Sequence, residues 1–95
     1  MKGKKFYTAK LTRAPTPNQR GGETEHYIIS VDTHDSHGNP YHEDPEQRAR
    51  EAFNAAFNQD PVDLTEIDQK DVPNKKMLDR KISLQGRAVY LIEND

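Results

Sequence analysis

The residues best suited to chemistry lie in one short stretch, V-D-T-H-D-S-H-G-N-P-Y-H-E-D. Within eleven residues it holds two aspartates and three histidines: Asp32, His34, Asp35, His37 and His42. Imidazole and carboxylate groups suit zinc and other first-row divalent ions. One hypothesis is therefore a metal-dependent enzyme that uses His34, His37 and His42. The histidines lack the glutamate and helical setting of a metalloprotease, so we favour an ordinary polar loop without metal.

Covalent catalysis and phosphate binding have less support in the sequence. Ser36 stands between His34 and His37, but no G-x-S-x-G turn surrounds it. The five glycines are scattered and form no phosphate-binding motif. The chain has no cysteine, which excludes disulfides, thiolate ligands and a thiol nucleophile. We therefore expect a non-enzymatic protein without a cofactor.

The bulk composition predicts a single small domain over residues 1–95. The chain is 32% hydrophobic and has a mean hydropathy of -1.11, so little apolar surface is available for a core. A homodimer that shares its core is an alternative to a monomer. A reducing compartment fits the lack of cysteine, and no apolar run is long enough to cross a membrane. We expect a cytoplasmic protein with no membrane anchor.

Charge is distributed unevenly along the chain. Residues 1–20 carry six lysines and arginines and no acid, whereas residues 21–71 carry thirteen acids and only three bases. Basic residues interleaved with aromatic residues could hold a phosphate backbone and stack a base. The alternative function is therefore binding of single-stranded nucleic acid through the first strand, by Lys5, Phe6, Tyr7, Lys10 and Arg13. The competing interpretation is an edge strand that lysines protect from aggregation.

The strongest structural signal is an amphipathic helix over Asp44–Gln59. Asp44 can cap the first turn, Pro45 suits the first helical position, and Gln47 stands where a capping-box partner would reach back. The apolar residues recur at helical spacing and form one narrow stripe: Ala49, Ala52, Phe53, Ala56 and Phe57. Such a stripe must pack on another element.

Alternating apolar and polar residues predict the strands. Residues 5–13 place Tyr7, Ala9 and Leu11 on one side, and residues 26–33 do the same with Tyr27, Ile29 and Val31. Residues 62–68 predict a weak strand. From residue 80 onward, one long strand bent at Gly86 and a hairpin turning at Gln85-Gly86 are both consistent, with Ile82, Leu84, Ala88, Tyr90 and Ile92 on one face.

These elements predict an α+β fold in which one amphipathic helix packs on one face of an antiparallel sheet of about four strands, in the order ββαββ. Residues 14–24 form a long loop rich in proline and glycine, and residues 68–79 form a second, in which Met77 and Leu78 reach the core.

In layout the chain resembles the small inhibitor proteins that bacteriophages and mobile elements encode, including inhibitors of CRISPR effector complexes. The resemblance lies in a short basic first strand, a hairpin, the segment D-P-E-Q-R-A-R-E-A that starts the one helix, and short closing strands. It covers most of the chain but includes no specific motif, so it assigns no binding residue. It implies a protein without a catalytic site that binds another protein.

The leading interpretation is a non-enzymatic protein-binding module that occludes a nucleic-acid-handling host complex. Acidic and basic surfaces are both candidates for the contact, because each can complement an oppositely charged partner. The candidate partner-binding residues are Lys10, Arg13, Arg20, Asp32, Asp35, Glu43, Lys75, Lys76 and Arg80.

Overall fold

A computed structural model of the protein describes residues 3–12, 24–72, 80–84 and 86–93. These residues form one five-stranded antiparallel sheet, in the order β3-β1-β2-β5-β4, and one helix. The elements are β1 (Lys4–Thr12), β2 (Thr24–Asp32), α1 (Pro45–Phe57), β3 (Val62–Ile67), a 3₁₀ turn (Gln69–Asp71), β4 (Arg80–Leu84) and β5 (Arg87–Glu93). The predicted α+β class with one helix is confirmed. The sheet has five strands where about four were predicted, and the order ββαββ is incomplete, because two strands and not one follow β3.

Helix α1 begins at the predicted Asp44 cap and spans Pro45–Phe57, so it ends before the predicted Gln59. The Asp44 carboxylate accepts a hydrogen bond of 3.1 Å from the backbone N–H of Glu46, and Pro45 occupies the first turn. Gln47 does not reach back to the cap, and its amide donates to Glu51 one turn later. The helix ends at Asn58, which adopts left-handed backbone angles and donates its N–H to the carbonyl of Asn54.

The core lies between α1 and one face of the sheet. The predicted stripe packs there, with Phe53 fully buried and Phe57 half-buried. The Phe53 and Phe57 rings lie 6.1 Å and 4.8 Å from the Tyr27 ring, so aromatic contacts join the helix to β2. The inward residues predicted for β1 and β2 are all buried: Tyr7, Ala9, Leu11, Tyr27, Ile29 and Val31. Alternation therefore predicted the inner face of both strands.

Strands β4 and β5 form a hairpin and not one bent strand. Ile82 pairs with Val89, and Leu84 pairs with Arg87 across the two-residue connection. Paired residues share a face of the sheet. The core side of β5 therefore consists of odd-numbered residues, and Val89 and Leu91 are fully buried. The prediction that Ala88, Tyr90 and Ile92 share a face with Ile82 is wrong, because the turn places the odd-numbered residues of β5 on the same face as the even-numbered residues of β4.

The second face of the sheet carries the alternate residues of each strand. Phe6, Tyr90 and Ile92 are half-buried there, and Ile28 is 1% exposed although it lies outside the core cluster. Helix α1 packs only on the opposite face. In the described ranges, no helix lies over the second face.

Edge strand β3 is irregular. Its register with β1 shifts between Thr8 and Lys10. Asp63 adopts a positive φ of 54°, which residues other than glycine rarely adopt. Val62, at the start of this strand, is 42% exposed. The bulge and the acidic side chains interrupt this edge as a pairing surface.

Candidate functional site

The β2–α1 loop, residues 33–44, is held by its own backbone. The N–H of Thr33 donates to the Gly3 carbonyl at 2.7 Å, and the N–H of Tyr41 donates back to the Thr33 carbonyl at 2.9 Å. Inside this closure, the N–H of Asp35 donates to the Asn39 carbonyl at 2.8 Å. Successive backbone pairs of this kind make a small hairpin, so the loop presents a fixed surface.

Asp35 stabilises the tip of this loop. Its Oδ1 atom accepts hydrogen bonds of 2.9 Å from the backbone N–H groups of His37 and Asn39. These bonds, with that from Asn39 the largest contribution, favour the charged carboxylate and lower the pKa of Asp35. Gly38 completes the turn at a φ of +85°, which a residue with a Cβ atom adopts at a cost. Asp35 therefore has a structural role at the tip of the loop.

An open concavity of about 790 Å³ lies between this loop and the start of β1. Both aspartates that the sequence singled out line it, together with a histidine, a lysine and an aromatic ring. Its lining includes Lys4, Asp32, His34, Asp35, Ser36 and Tyr41. The lining thus mixes both charges with a ring face, a composition suited to holding a polar or charged side chain from outside.

Glu43, the third acid of the candidate set, is held by an arginine from β5. Arg87 Nη2 lies 2.5 Å from Glu43 Oε1, and the Arg87 guanidinium lies 3.7 Å from the centre of the Tyr41 ring. The pKa of Glu43 is lowered, first by a hydrogen bond from its own backbone N–H and then by the charge of Arg87. Glu43 is nevertheless 44% exposed. Its carboxylate is therefore both positioned and accessible.

Arg48 supports this arrangement from beneath, and sequence reasoning missed it. The residue is 4% exposed, and its Nη2 atom donates to the carbonyls of Leu84 at 2.5 Å and Arg87 at 3.4 Å. Burial lowers its pKa, and the charge of Arg87 adds to the effect. The only sequence signal was its position one turn before Ala52 of the apolar stripe. Arg48 connects α1 to the β4–β5 hairpin that carries Arg87.

The lysines of β1 are neutralised by acids of the neighbouring strands. The pairs are Lys4–Asp32 at 3.5 Å, Lys5–Glu66 at 3.6 Å and Lys10–Asp63 at 3.2 Å. These acids would compete with a phosphate backbone for the same ammonium groups. Tyr7 is 3% exposed in the core and offers no free ring face, whereas Phe6 lies half-buried on the opposite face. Lys5, Phe6, Tyr7 and Lys10 are thus not assembled on one surface, and Arg13, the fifth residue predicted to bind single-stranded nucleic acid, lies outside the described residues.

The three histidines proposed as metal ligands are all exposed on the β2–α1 loop. In the part of the chain that the structure describes, no group of three or more histidine, aspartate or glutamate side chains is arranged to hold a metal ion. The geometry therefore gives the metal hypothesis no support.

Arg80 is the one basic candidate of the second half of the chain that can be placed. It donates a hydrogen bond of 3.0 Å to the Ala56 carbonyl and lies over the Phe57 ring at 5.0 Å from its centre. Its guanidinium is thus occupied at the end of α1. Four other candidates lie outside the described residues: Arg13, Arg20, Lys75 and Lys76. Met77, Leu78 and the loop over residues 14–23 lie outside them as well.

Comparison with known proteins finds no matching family model, no matching curated protein and no matching solved structure. Within the described ranges, no helix is both long enough and apolar enough to span a membrane. The site must therefore be interpreted from its own geometry.

Proposed function

We propose that the protein is a non-enzymatic protein-binding module that occludes a nucleic-acid-handling partner, as small inhibitors from phages and mobile elements do. The contact surface in this proposal is the acidic loop surface, defined as Asp32, Asp35 and Glu43 beside the concavity. The observation that carries it is that each of these three acids has a partner that holds it, with Asp32 at the end of β2 and Asp35 and Glu43 on the β2–α1 loop. Their separate supports come from β1, from the loop backbone and from β5.

Pre-organisation is what makes this surface suitable for binding. Asp32 is held by Lys4, Asp35 by two backbone N–H groups and Glu43 by Arg87, so little side-chain freedom remains to be lost on association. Ordering a long side chain at an interface costs about 0.5–1.5 kcal/mol. Asp32 and Glu43 remain 40% and 44% exposed, so a partner can reach them.

Charge indicates which partner this surface fits. The segment that contains the loop carries thirteen acids against three bases, and the net charge of the chain is -2. Lys4 and Arg87 offset the charges of Asp32 and Glu43, so the excess negative charge comes from Asp35 and from the other acids of the segment. Such a surface attracts a basic protein surface and repels a nucleic acid. Surfaces that bind nucleic acid are basic, because they neutralise phosphates. The partner in this proposal is therefore a protein whose nucleic-acid-binding surface the acidic loop surface covers.

The experiment is affinity capture from nuclease-treated lysate of the native host, with the wild type and two matched double variants. Asp32→Asn with Asp35→Asn removes two charges, while asparagine can still accept the backbone bonds that order the loop. Asp68→Asn with Asp71→Asn removes two charges from the exposed 3₁₀ turn and serves as the control. The captured partner is then tested for binding of labelled nucleic acid, with and without the module.

We expect the wild type and the control to capture the same partner and to displace its nucleic acid, and the loop variant to do neither. Circular dichroism verifies that all three proteins are folded. Equal capture by the loop variant would show that the acidic loop surface is not the contact. A partner that retains its nucleic acid at saturation with the module would contradict the proposed occlusion.

A further inference from the structure

Strand β4 forms the second edge of the sheet, and it differs from the interrupted edge at β3. Its five residues pair with β5 without a register shift, from Arg80 opposite Leu91 to Leu84 opposite Arg87. In the described part of the chain, no further strand pairs with its outer side. A regular edge strand presents unpaired backbone groups to any extended segment that can approach it.

The backbone groups that face outward on β4 belong to Lys81 and Ser83. A two-residue hairpin connection closes on a pair that exchanges both hydrogen bonds, and such pairs alternate along antiparallel strands. Leu84, Ile82 and Arg80 therefore turn their N–H and C=O groups toward β5. The intervening residues turn theirs away from the sheet.

The position of Arg48 supports this alternation. A single nitrogen, Nη2, reaches the carbonyl oxygens of Leu84 at 2.5 Å and Arg87 at 3.4 Å. One atom can reach both oxygens only if they point toward each other across the pair. That is the arrangement of a hydrogen-bonded pair and not of a non-hydrogen-bonded pair.

We propose that β4 is a homodimerisation edge, at which the β4 strands of two copies of this chain pair antiparallel about a twofold axis at Ile82. The axis places Lys81 of the first copy opposite Ser83 of the second copy, and Ser83 of the first copy opposite Lys81 of the second. These two pairs use outward-facing backbone groups on both sides, so four backbone hydrogen bonds join the copies. The two sheets become one sheet of ten strands. This inference does not depend on the proposed function.

Side chains favour a second copy as the occupant of this edge. The half-buried Ile82 residues of the two copies meet across the axis, on the face that carries the helices. On the same face Arg80 lies opposite Leu84 of the second copy, and on the other face the exposed Lys81 lies opposite a serine hydroxyl, so no like charges stand directly opposite each other. In this register the strand therefore complements its own sequence. A foreign acidic strand would pair with Lys81 but would not match Ile82.

The expected affinity is modest, because five residues from each copy make a small interface. Interfaces that bury less than about 1,200 Å² are usually weak or transient. We expect a dissociation constant in the micromolar range, measured by sedimentation equilibrium over a concentration series.

Two substitutions at Ser83 test the register. Ser83 is exposed, so neither change disturbs the core. Ser83→Lys places a lysine opposite Lys81 twice per dimer, and Ser83→Glu places a glutamate there. Relative to the wild type, we expect the first to weaken dimerisation and the second to strengthen it, each on the order of tenfold. Equal dissociation constants for the two variants, or a wild type that stays monomeric at all concentrations, would overturn the proposal.

A cysteine substitution tests the axis independently. The chain has no cysteine, so Ile82→Cys introduces a single thiol. Residues opposite each other in a non-hydrogen-bonded pair lie about 4.5 Å apart at Cα, within the range that a disulfide spans. We expect Ile82→Cys to form a disulfide-linked dimer under mild oxidation, and Val62→Cys at the other edge to remain mostly monomeric. Equal yields from the two variants would show that β4 is not the edge that pairs.

Discussion

Ionisation of Tyr7 allows a quantitative test of the packing between the sheet and α1. Tyr7 is 3% exposed, and burial raises its pKa to about 12, with the charge of Glu66 adding to the shift. An unfolded tyrosine titrates near pH 10. Between pH 10 and 12 the folded protein therefore retains a proton that the unfolded chain releases. Each pKa unit corresponds to about 1.36 kcal/mol, so the folded state should lose about 2.7 kcal/mol of stability in total from well below pH 10 to well above pH 12, about 2 kcal/mol of it between pH 10 and 12.

The assay is urea unfolding of the wild type and Tyr7→Phe at pH 8, 10, 11 and 12. Other groups titrate equally in both proteins, so the difference between their unfolding free energies isolates Tyr7. We expect this difference to be constant below pH 10 and then to shift against the wild type by about 2–3 kcal/mol. Glu66→Gln should reduce the shift, because it removes one of the charges that oppose ionisation. Parallel loss of stability in the wild type and Tyr7→Phe up to pH 12 would refute the reasoning.

Four further predictions concern the core, the buried arginine, the loop and the first strand. Phe53→Ala should cost about 3–5 kcal/mol in urea unfolding, because it removes the fully buried ring of α1. Arg48→Ala should cost about 2–4 kcal/mol, since two carbonyls lose their donor, and Arg48→Met should cost less because it refills the volume. Asp35 has a lowered pKa, so its contribution to stability is present above about pH 4 and is lost as the pH falls through the folded pKa. Lowering the pH from 5 to 2 should therefore reduce the Tm of the wild type, measured by thermal unfolding, more than the Tm of Asp35→Asn. Labelled single-stranded DNA and RNA should bind weakly at both low and high salt, because the β1 lysines are paired with acids; tight binding that weakens steeply with salt would contradict this.

Local patterns in the sequence predicted a large part of this fold. Alternation identified the inner faces of β1 and β2, and the apolar stripe with the Asp44 cap identified α1. These features depend on residues within one element, and a short stretch of sequence contains them completely. The strand count was wrong because one bent strand and a hairpin at Gly86 have the same local pattern. Which of the two forms depends on pairing with distant β2.

The candidate site was less predictable, because its contacts join distant parts of the chain. Asp32, Asp35 and Glu43 are close in sequence, and the structure places Asp32 at the end of β2 and the other two on the loop that follows it. The pairing of Glu43 with Arg87 spans more than forty residues and leaves no local signal. The same is true of Arg48, whose partners are carbonyls and therefore carry no side-chain identity.

The pairing of β2 with β5 has a consequence for how the chain folds during synthesis. Ile29 lies opposite Leu91, so β2 completes its hydrogen bonds only with a strand that comes much later in the sequence. On a ribosome, β5 emerges long after β2, and until then one side of β2 lacks this neighbour. Contacts this far apart in sequence slow folding, and they make the last step cooperative. Premature termination before β5 would leave an open, aggregation-prone intermediate in place of a smaller working protein.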